Sequence, residues 1–574
     1  MSLESAPRQA ASVGVGHLGA AEFCSSGRGL NPSFDPDKSR VRELFPLPAV
    51  VPRPRCPGQS VSSRRRSHEV RVKEEQMNSI IGCLNEMYAP QVKSSAVESG
   101  ASGAQKVSQH KIFKMLSRLK KHHETCTVRE AAQELLHTSV DYSSDRPTST
   151  VRSYDRDLVS LPQSGDQPVE LLEVLDDVGR EYVKDPLTAM MISEEEHGEL
   201  IEKGDTVRPY MDVRLQREQD TYEQFILDLF KSGMLEFTCR PQDLVTPFFV
   251  HKKNNRLRFI LDCRMVNKRF KRPPGMALAA GSTWSQVSVP PGDNLFIAQS
   301  DIKDYFYSLS LPLALRPYFC LPSIRFSLLQ EWGVPVHLHP QGIQEGLVFP
   351  MLRVIPMGWS WAMWISQRVH QNISLIASGL DSSRVVVDHR APPDLSGGVP
   401  IIIPYADNLN VAGTDQQAVQ DTKDRIVKVL RGHGFRVHEE LDASDCAQSL
   451  GFLIDGSNGL VAPVPEKLFK VQQAFRWLAG RPKVRGKEVE RLLWHATHLM
   501  MLRRELLSIF RSLYDFVQGS YEKRSRLWPS AVREARWAGE LLALCSVDLR
   551  SASTMEPNID CLRCQPLRRC CVLV

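Results

Sequence analysis

No stretch of this chain is a run of roughly eighteen apolar residues, so a membrane-spanning helix is not expected and no membrane partner is read from it. The first residues lack a basic segment followed by an apolar core, which argues against a secretory leader. Cysteine is sparse, 13 in 574 residues, too thin for a disulfide framework. A reducing intracellular compartment, cytoplasm or nucleus, is the expectation. Nor does one sign of charge dominate: 72 Lys and Arg against 66 Asp and Glu leave +6. So mild a balance does not declare a nucleic-acid partner, and the local distribution of cations has to be read instead.

What is present starts with length. A chain of 574 residues with 42% hydrophobic content has room for two to four domains with separate cores. Residues 1–105 are rich in Ser, Gly, Pro and Arg and show no sustained period, which predicts a disordered arm. Arg64, Arg65 and Arg66, close to Arg53 and Arg55, read as a solvated basic tail, with a nuclear address or a nucleic-acid contact as the sharper alternative. Residues 106–166 read as a helical segment and a linker. Ile112, Met115, Leu116 and Leu119 recur at helical spacing among Lys114, Arg118, Lys120 and Lys121, a helix with one wet face. A Ser/Thr/Asp/Pro-rich linker follows from 139.

The chain turns on Ile401-Ile402-Ile403-Pro404-Tyr405-Ala406-Asp407-Asn408-Leu409-Asn410-Val411-Ala412-Gly413. Two apolar runs flank a short polar centre, which predicts a hairpin tipped by Asp407 and Asn408. Asp and Asn also favour an ordinary turn. A carboxylate between two core strands, however, is expected to face something positive. About a hundred residues upstream, Gln299-Ser300-Asp301-Ile302-Lys303-Asp304-Tyr305-Phe306-Tyr307 sets a second acid at a strand end, ahead of an aromatic cluster. Two such carboxylates on one sheet would suit two divalent cations roughly 4 Å apart, able to activate an attacking oxygen and stabilise a leaving one. Hard oxygen ligands favour Mg²⁺, with Mn²⁺ as the alternative.

Other stretches carry cations or close turns. Residues 244–262 place two apolar strands around a basic turn holding Lys252, Lys253, Asn254, Asn255 and Arg258. Fixed cations there would suit a polyanion. Pro356-Met357-Gly358-Trp359-Ser360 joins a rigid residue to a permissive one ahead of a helix carrying Gln367. Trp359, Trp361 and Trp364 read as stacking platforms for bases or, for at least two of them, as helix packing. From Pro465 the chain reads helical, with Val489, Leu492, Leu493, Ala496, Leu499 and Met500 on an apolar stripe and Lys483, Arg485, Lys487, Arg503 and Arg504 off it. The tail with Cys561, Cys564, Cys570 and Cys571 matches neither a zinc knuckle nor a typical prenylation signal and reads as accidental.

This ordered set resembles the polymerase region of reverse transcriptases over about residues 185–545, nearer to long-terminal-repeat and tyrosine-recombinase retroelements than to bacterial introns. The resemblance implies an α+β right-hand polymerase: fingers at 167–290, a palm with an antiparallel sheet at 291–462, a helical thumb at 463–520, and a connection with an irregular tail at 521–574. It implies Asp301 and Asp407 as catalytic carboxylates, holding two Mg²⁺ together with the Ile302 carbonyl and Asn408. Lys252, Lys253 and Arg258 would hold the triphosphate of a deoxynucleotide, with Gly358 and Gln367 beside it. Phe306 matches the aromatic that collides with a ribose 2′-hydroxyl. Tyr405, Gly451, Phe452, Lys487 and Arg503 would meet an RNA or DNA template and its primer. Asp262, Arg264 and Asn267 would join fingers to palm. The chain departs from the family pattern at Asn408, where a second Asp is usual, and at His438, where a Lys is usual after Gly434-Phe435-Arg436-Val437. His438 would be the substitute general acid. RNA-directed DNA synthesis is the implied activity. The alternatives are an inactive nucleic-acid-binding remnant, favoured by Asn408, and an unrelated hydrolase using the two acids.

Overall fold

The computed structural model describes residues 44–51, 61–88, 100–119, 126–137, 151–163, 167–204, 206–252, 256–341, 346–388 and 390–550. Lys253 and the four tail cysteines lie outside the described residues. The chain is a mixture of helices and small, mainly antiparallel sheets.

The arm expected to be disordered supplies a helix, α1 (Val61–Tyr88), while α2 (Gly103–Arg118) and α3 (Val128–His137) fall almost wholly within the segment expected to be helical. The cause is an apolar stripe on α1, Met77, Ile80, Ile81 and Leu84, whose spacing of three and four residues lines one face. The Ser/Pro/Arg-rich composition around it masked that stripe. Ser102 caps α2 through a capping box with Gln105. Within the expected linker, β1 (Val151–Arg152) and β2 (Val159–Ser160) become the two edges of a four-stranded sheet. Its centre is the basic hairpin β3 (Thr246–Lys252) and β4 (Arg256–Asp262), paired from Thr246↔Asp262 to Lys252↔Arg256. Tyr154, between the two edge strands, packs edge-on against Phe225 and tilted against Phe249.

A second four-stranded sheet carries both acids. Its order is β8-β5-β7-β6, built from β5 (Phe296–Ile302), β6 (Ile401–Tyr405), β7 (Asn408–Gly413) and β8 (Val437–Ser444). Two helices back it: α4 (Ala362–Ser378) and α5 (Gln416–Gly432). Gly379, at φ +68°, ends α4 by adopting the left-handed conformation that a helix stop requires. Ten side chains of α4, from Ala362 to Ser378, are buried, so it is an inner helix. Residues from Tyr154 to Ala443 form one large apolar core around this sheet and the basic hairpin.

A separate core lies at the C-terminal end. Helices α6 (Pro465–Ala479), α7 (Gly486–Met500), α8 (Arg511–Gly519) and α9 (Pro529–Leu541) pack together. The expected boundary at 521 cuts through it, because Ala531, Ala535, Ala538 and Leu541 of α9 are buried in the same cluster as Val471 and Phe475 of α6. The N-terminal helices complete that cluster through Leu84, Ile112, Leu116 and Leu135. Among the described residues, no helix is long and apolar enough to cross a membrane.

Candidate active site

The register of the second sheet brings the site together. Asn408 pairs with Asp301 on one side and with Tyr405 on the other, and His438 pairs with Asp301 from the far strand. Directly opposed residues of neighbouring strands share a face, so Tyr405, Asn408, Asp301 and His438 form one row across the sheet. Asp407 sits beside that row in the two-residue turn. The Ile302 N–H donates to the Asp407 carbonyl at 2.9 Å, which fastens the turn to the end of β5.

That turn is strained and held from behind. Ala406 has φ +51°, a left-handed conformation that costs a non-glycine residue about 1–2 kcal/mol. Two side chains of α4 grip its peptide. The Ala406 N–H donates to Gln367 Oε1 at 2.9 Å, and His370 Nδ1 donates to the Ala406 carbonyl at 2.7 Å. Gln367 also donates from Nε2 to the Pro404 carbonyl at 2.8 Å. The Ala406 carbonyl can only accept, so Nδ1 of His370 carries the hydrogen. Burial pushes the imidazole down to about 4, and it stays neutral. Gln367, expected to meet the nucleotide, is 2% exposed and both its polar atoms serve the hairpin. It is a positioning residue. His370 escaped sequence reading; its signal was a second polar residue one turn from Gln367, on the same side of the helix.

The carboxylates repel one another. Asp301 is raised to about 6, first by burial and then by the charge of Asp407. His438 opposes the shift, with Nε2 2.9 Å from Asp301 Oδ1. Asn408 donates from Nδ2 to Asp407 Oδ1 at 2.9 Å. A carboxylate at 408 would instead bring a third negative charge. Among the described residues no cluster of three His, Cys, Asp or Glu side chains converges on a metal position. Two carboxylates with backbone oxygens nearby are nevertheless what Mg²⁺ uses when substrate phosphates and water complete its shell.

After β5 the chain does not continue as a strand. Asp304, at φ +51°, opens a 3₁₀ turn over Tyr305–Ser308. The backbone has turned, so the three aromatics do not alternate as residues of a strand would. Tyr305 donates its hydroxyl to the Ser366 carbonyl and Tyr307 to the Phe259 carbonyl, each at 2.7 Å. Both rings are buried, whereas Phe306 remains half-buried. Lys252 and Arg258 are also half-buried, on facing strands of the basic hairpin.

Several expected contacts point elsewhere. Gly358 lies at φ +125°, and a Cβ there would sit 2.2 Å from the Leu261 carbonyl oxygen. Its close approach in this structure is to β4. Asn267 secures the same junction, donating to the Gly358 carbonyl and accepting from the Ser360 N–H, both at 2.9 Å. Arg264 chelates Asp262, which also accepts from the Tyr210 N–H. Trp359, Trp361 and Trp364 are all buried, which rules out base stacking and leaves packing. Phe452 is fully buried and stacks on His498 at 5.2 Å, so its ring cannot reach a primer. Gly451 has φ +82°, and a Cβ there would lie 2.7 Å from His498. Its backbone is close to α7, a neighbour the sequence did not reveal. Lys487 pairs with Glu522 at 2.7 Å and Arg503 with Glu505 at 4.0 Å, so both cations are partly neutralised within the helical unit.

No protein-family model matches the chain, and no curated protein is similar to it. Among solved structures it is similar to a foamy viral protease-reverse transcriptase dRH bound to double-stranded DNA, with TM-score 0.39 and 16% identity over 66% of this chain and 62% of that one. It is also similar to the foamy viral protease-reverse transcriptase with double-stranded DNA, at TM-score 0.40 and 14% identity over 74% and 73%. The same viral protein with an RNA/DNA hybrid aligns at TM-score 0.37 and 18% identity, over 66% of this chain and 47% of that one. The chain thus spans less than two thirds of the first of these.

Proposed function

We propose that this chain is the RNA-directed DNA polymerase of a retroelement, a right-hand polymerase with fingers at the basic hairpin, a palm at the Asp301 sheet and a thumb in the C-terminal helices. The observation that carries the reading is the register: Asn408 opposite Asp301 sets the Asp407 turn against the end of β5, beside a fixed carboxylate. An acid such as Asp301, its proton affinity raised by burial and by the neighbouring Asp407 charge, calls for cations between the two.

Asp301 and Asp407, with the Ile302 carbonyl and the Asn408 amide oxygen, would hold two Mg²⁺ or Mn²⁺. When bound, such ions supply activation of a primer 3′-hydroxyl and stabilisation of the leaving pyrophosphate oxygen. The protein's own groups do the remaining work. Gln367 and His370 keep Asp407 presented by fixing the Ala406 peptide. Lys252 and Arg258 set positive charge where a triphosphate would lie. Phe306, the one partly exposed ring of its turn, would be the group that rejects a 2′-hydroxyl. His438, on Asp301, can give a proton to the departing pyrophosphate.

Asn408 favours a second reading, a nucleic-acid-binding remnant that turns over no nucleotide. Primer extension on an RNA template with deoxynucleotides, in Mg²⁺ and separately in Mn²⁺, separates the two. Extension by the wild type that disappears in Asp301→Ala supports the polymerase. Binding of primer-template without extension in either ion assigns the remnant. Hydrolysis of nucleotide or nucleic acid without a primer would sink both.

A further inference from the structure

Two short strands meet at the N-terminal end of α7. They are β9 (Val484–Arg485) and β10 (Arg524–Ser525), antiparallel, with Val484 opposite Ser525 and Arg485 opposite Arg524. Val484 is 1% exposed, so its face of the ribbon packs inward. Side chains alternate along a strand, and the two arginines therefore share the outer face. Like charges directly opposed across a ladder destabilise it. The ribbon is nevertheless firmly seated. The Gly486 N–H donates to the Ser520 carbonyl at 2.7 Å, and the Lys487 N–H to the Tyr521 carbonyl at 3.1 Å. A Cβ at Gly486 would lie 2.7 Å from the Val517 carbonyl oxygen, so glycine is what lets the chain come this close to the end of α8.

The two arginines have company. Lys483, Lys523 and Arg526 flank them, all five cations are exposed, and none forms an ion pair among the described residues. The acids beside them in sequence are engaged elsewhere. Glu488 Oε2 accepts from the Arg485 N–H at 2.7 Å, Glu490 accepts from the Tyr521 hydroxyl at 2.9 Å, and Glu522 pairs with Lys487. Two large rings bracket β10: Tyr521 is 46% exposed and Trp528 43%. Fixed cations follow a phosphate backbone, and exposed rings stack on bases whatever their identity. Opposed charges without acids to offset them call for an anion, and rings at both ends of the strand favour one that carries unpaired bases. The 15 residues of α7 run about 21 Å from this ribbon to Met500. Leu502, just beyond, shares a core with Ile297, Ile401 and Ile403 of the Asp301 sheet. The ribbon thus belongs to the end of α7 remote from the carboxylates.

We propose that the β9–β10 ribbon is a binding site for single-stranded nucleic acid, separate from the Asp301 sheet, in which Arg485 and Arg524 hold the phosphate backbone and Tyr521 and Trp528 stack on bases. A phosphate between the two guanidiniums offsets their repulsion. The site reads no sequence, because phosphates and ring faces are common to every nucleotide. It stands apart from the polymerase reading, since neither the carboxylates nor a divalent ion takes part.

The test follows the anisotropy of a fluorescent oligothymidylate of about twenty nucleotides with the full-length chain, without divalent ions or nucleotides, over a range of salt concentrations. Arg485→Gln combined with Arg524→Gln should weaken binding by about tenfold or more. It should also lower the slope of log affinity against log salt by about 1.4, from two phosphate contacts at about 0.7 each. Tyr521→Leu should weaken binding by about fivefold or more and leave the slope unchanged. The double arginine variant should melt no lower than the wild type, because an opposed like-charge pair has gone. Should it fail to fold, Lys523→Gln with Arg526→Gln takes its place, with the same loss of slope expected. Unchanged affinity and slope in a folded double variant overturn the proposal. So does an equal loss from Lys106→Gln with Lys114→Gln, exposed cations of α2, which would show that binding follows net charge alone. A duplex of the same length bound as tightly, together with indifference to Tyr521→Leu, would give the ribbon to duplex backbone and overturn the single-strand assignment.

Discussion

The two large cores of this molecule are assembled in different ways. The core around Asp301 and Asp407 draws on residues from Tyr154 to Ala443, a nearly continuous span. The C-terminal core joins residues 468–545 to residues 45–135, from the opposite end of the chain. In the first, apolar strands and turn residues announce their partners locally. In the second, a smaller share of the buried residues, from Phe45 to Leu84, comes from a stretch whose composition reads as disordered. Polar contacts repeat the pattern: Glu86 binds Arg536 and accepts from Trp537 Nε1, and Lys470 bridges Glu134 and Glu466. A region low in overall hydrophobicity can therefore fold when one stripe of it completes a core built elsewhere.

The largest expected effect separates chemistry from folding. Asp407→Asn should reduce nucleotide incorporation by about a thousandfold or more while leaving the melting temperature within a degree or two, because it removes a charge that the fold does not need. A comparable loss of stability would show that the acid is structural. Next, Ile81→Ala in α1 should destabilise the chain by about 2–5 kcal/mol, as for other fully buried aliphatic truncations. Urea unfolding followed by far-ultraviolet circular dichroism measures it, and a change under about 0.5 kcal/mol would mean that the N-terminal helices do not complete the C-terminal core.

His370 links the first core to pH. Its folded-state value of about 4 lies below the ordinary value near 6.5. The unfolded chain therefore binds the proton first as pH falls. Stability from this residue is fully present above about 6.5 and is lost between 6.5 and 4, by up to about 3 kcal/mol. Melting temperatures of the wild type should drop over that interval more steeply than those of His370→Gln; parallel curves would contradict the buried neutral ring. The smallest effect is expected at Arg536→Ala. It removes a half-exposed ion pair with Glu86 and should cost about 1 kcal/mol or less. A larger loss would mean that the N-terminal helices are held by charge rather than by their apolar stripe.

The hairpins at 246–262 and 401–413 were legible because alternation and turn chemistry are local properties of the backbone, and so was the apolar stripe of α7. The nearness of Asp407 to Asp301 was expected from a resemblance and is fixed in the structure by strand register, a long-range pairing that no window of residues contains. The same holds for the roles that changed. Gly358, Gln367, Gly451 and Phe452 carry the residue types of contact positions, yet each meets another part of this chain: Leu261, the Ala406 turn, His498. A side chain's type limits what it can bond, and local sequence limits where its strand or helix begins and ends. Which partner it meets depends on packing between elements far apart in the chain, where burial decides that an amide such as Gln367 must satisfy backbone instead of solvent.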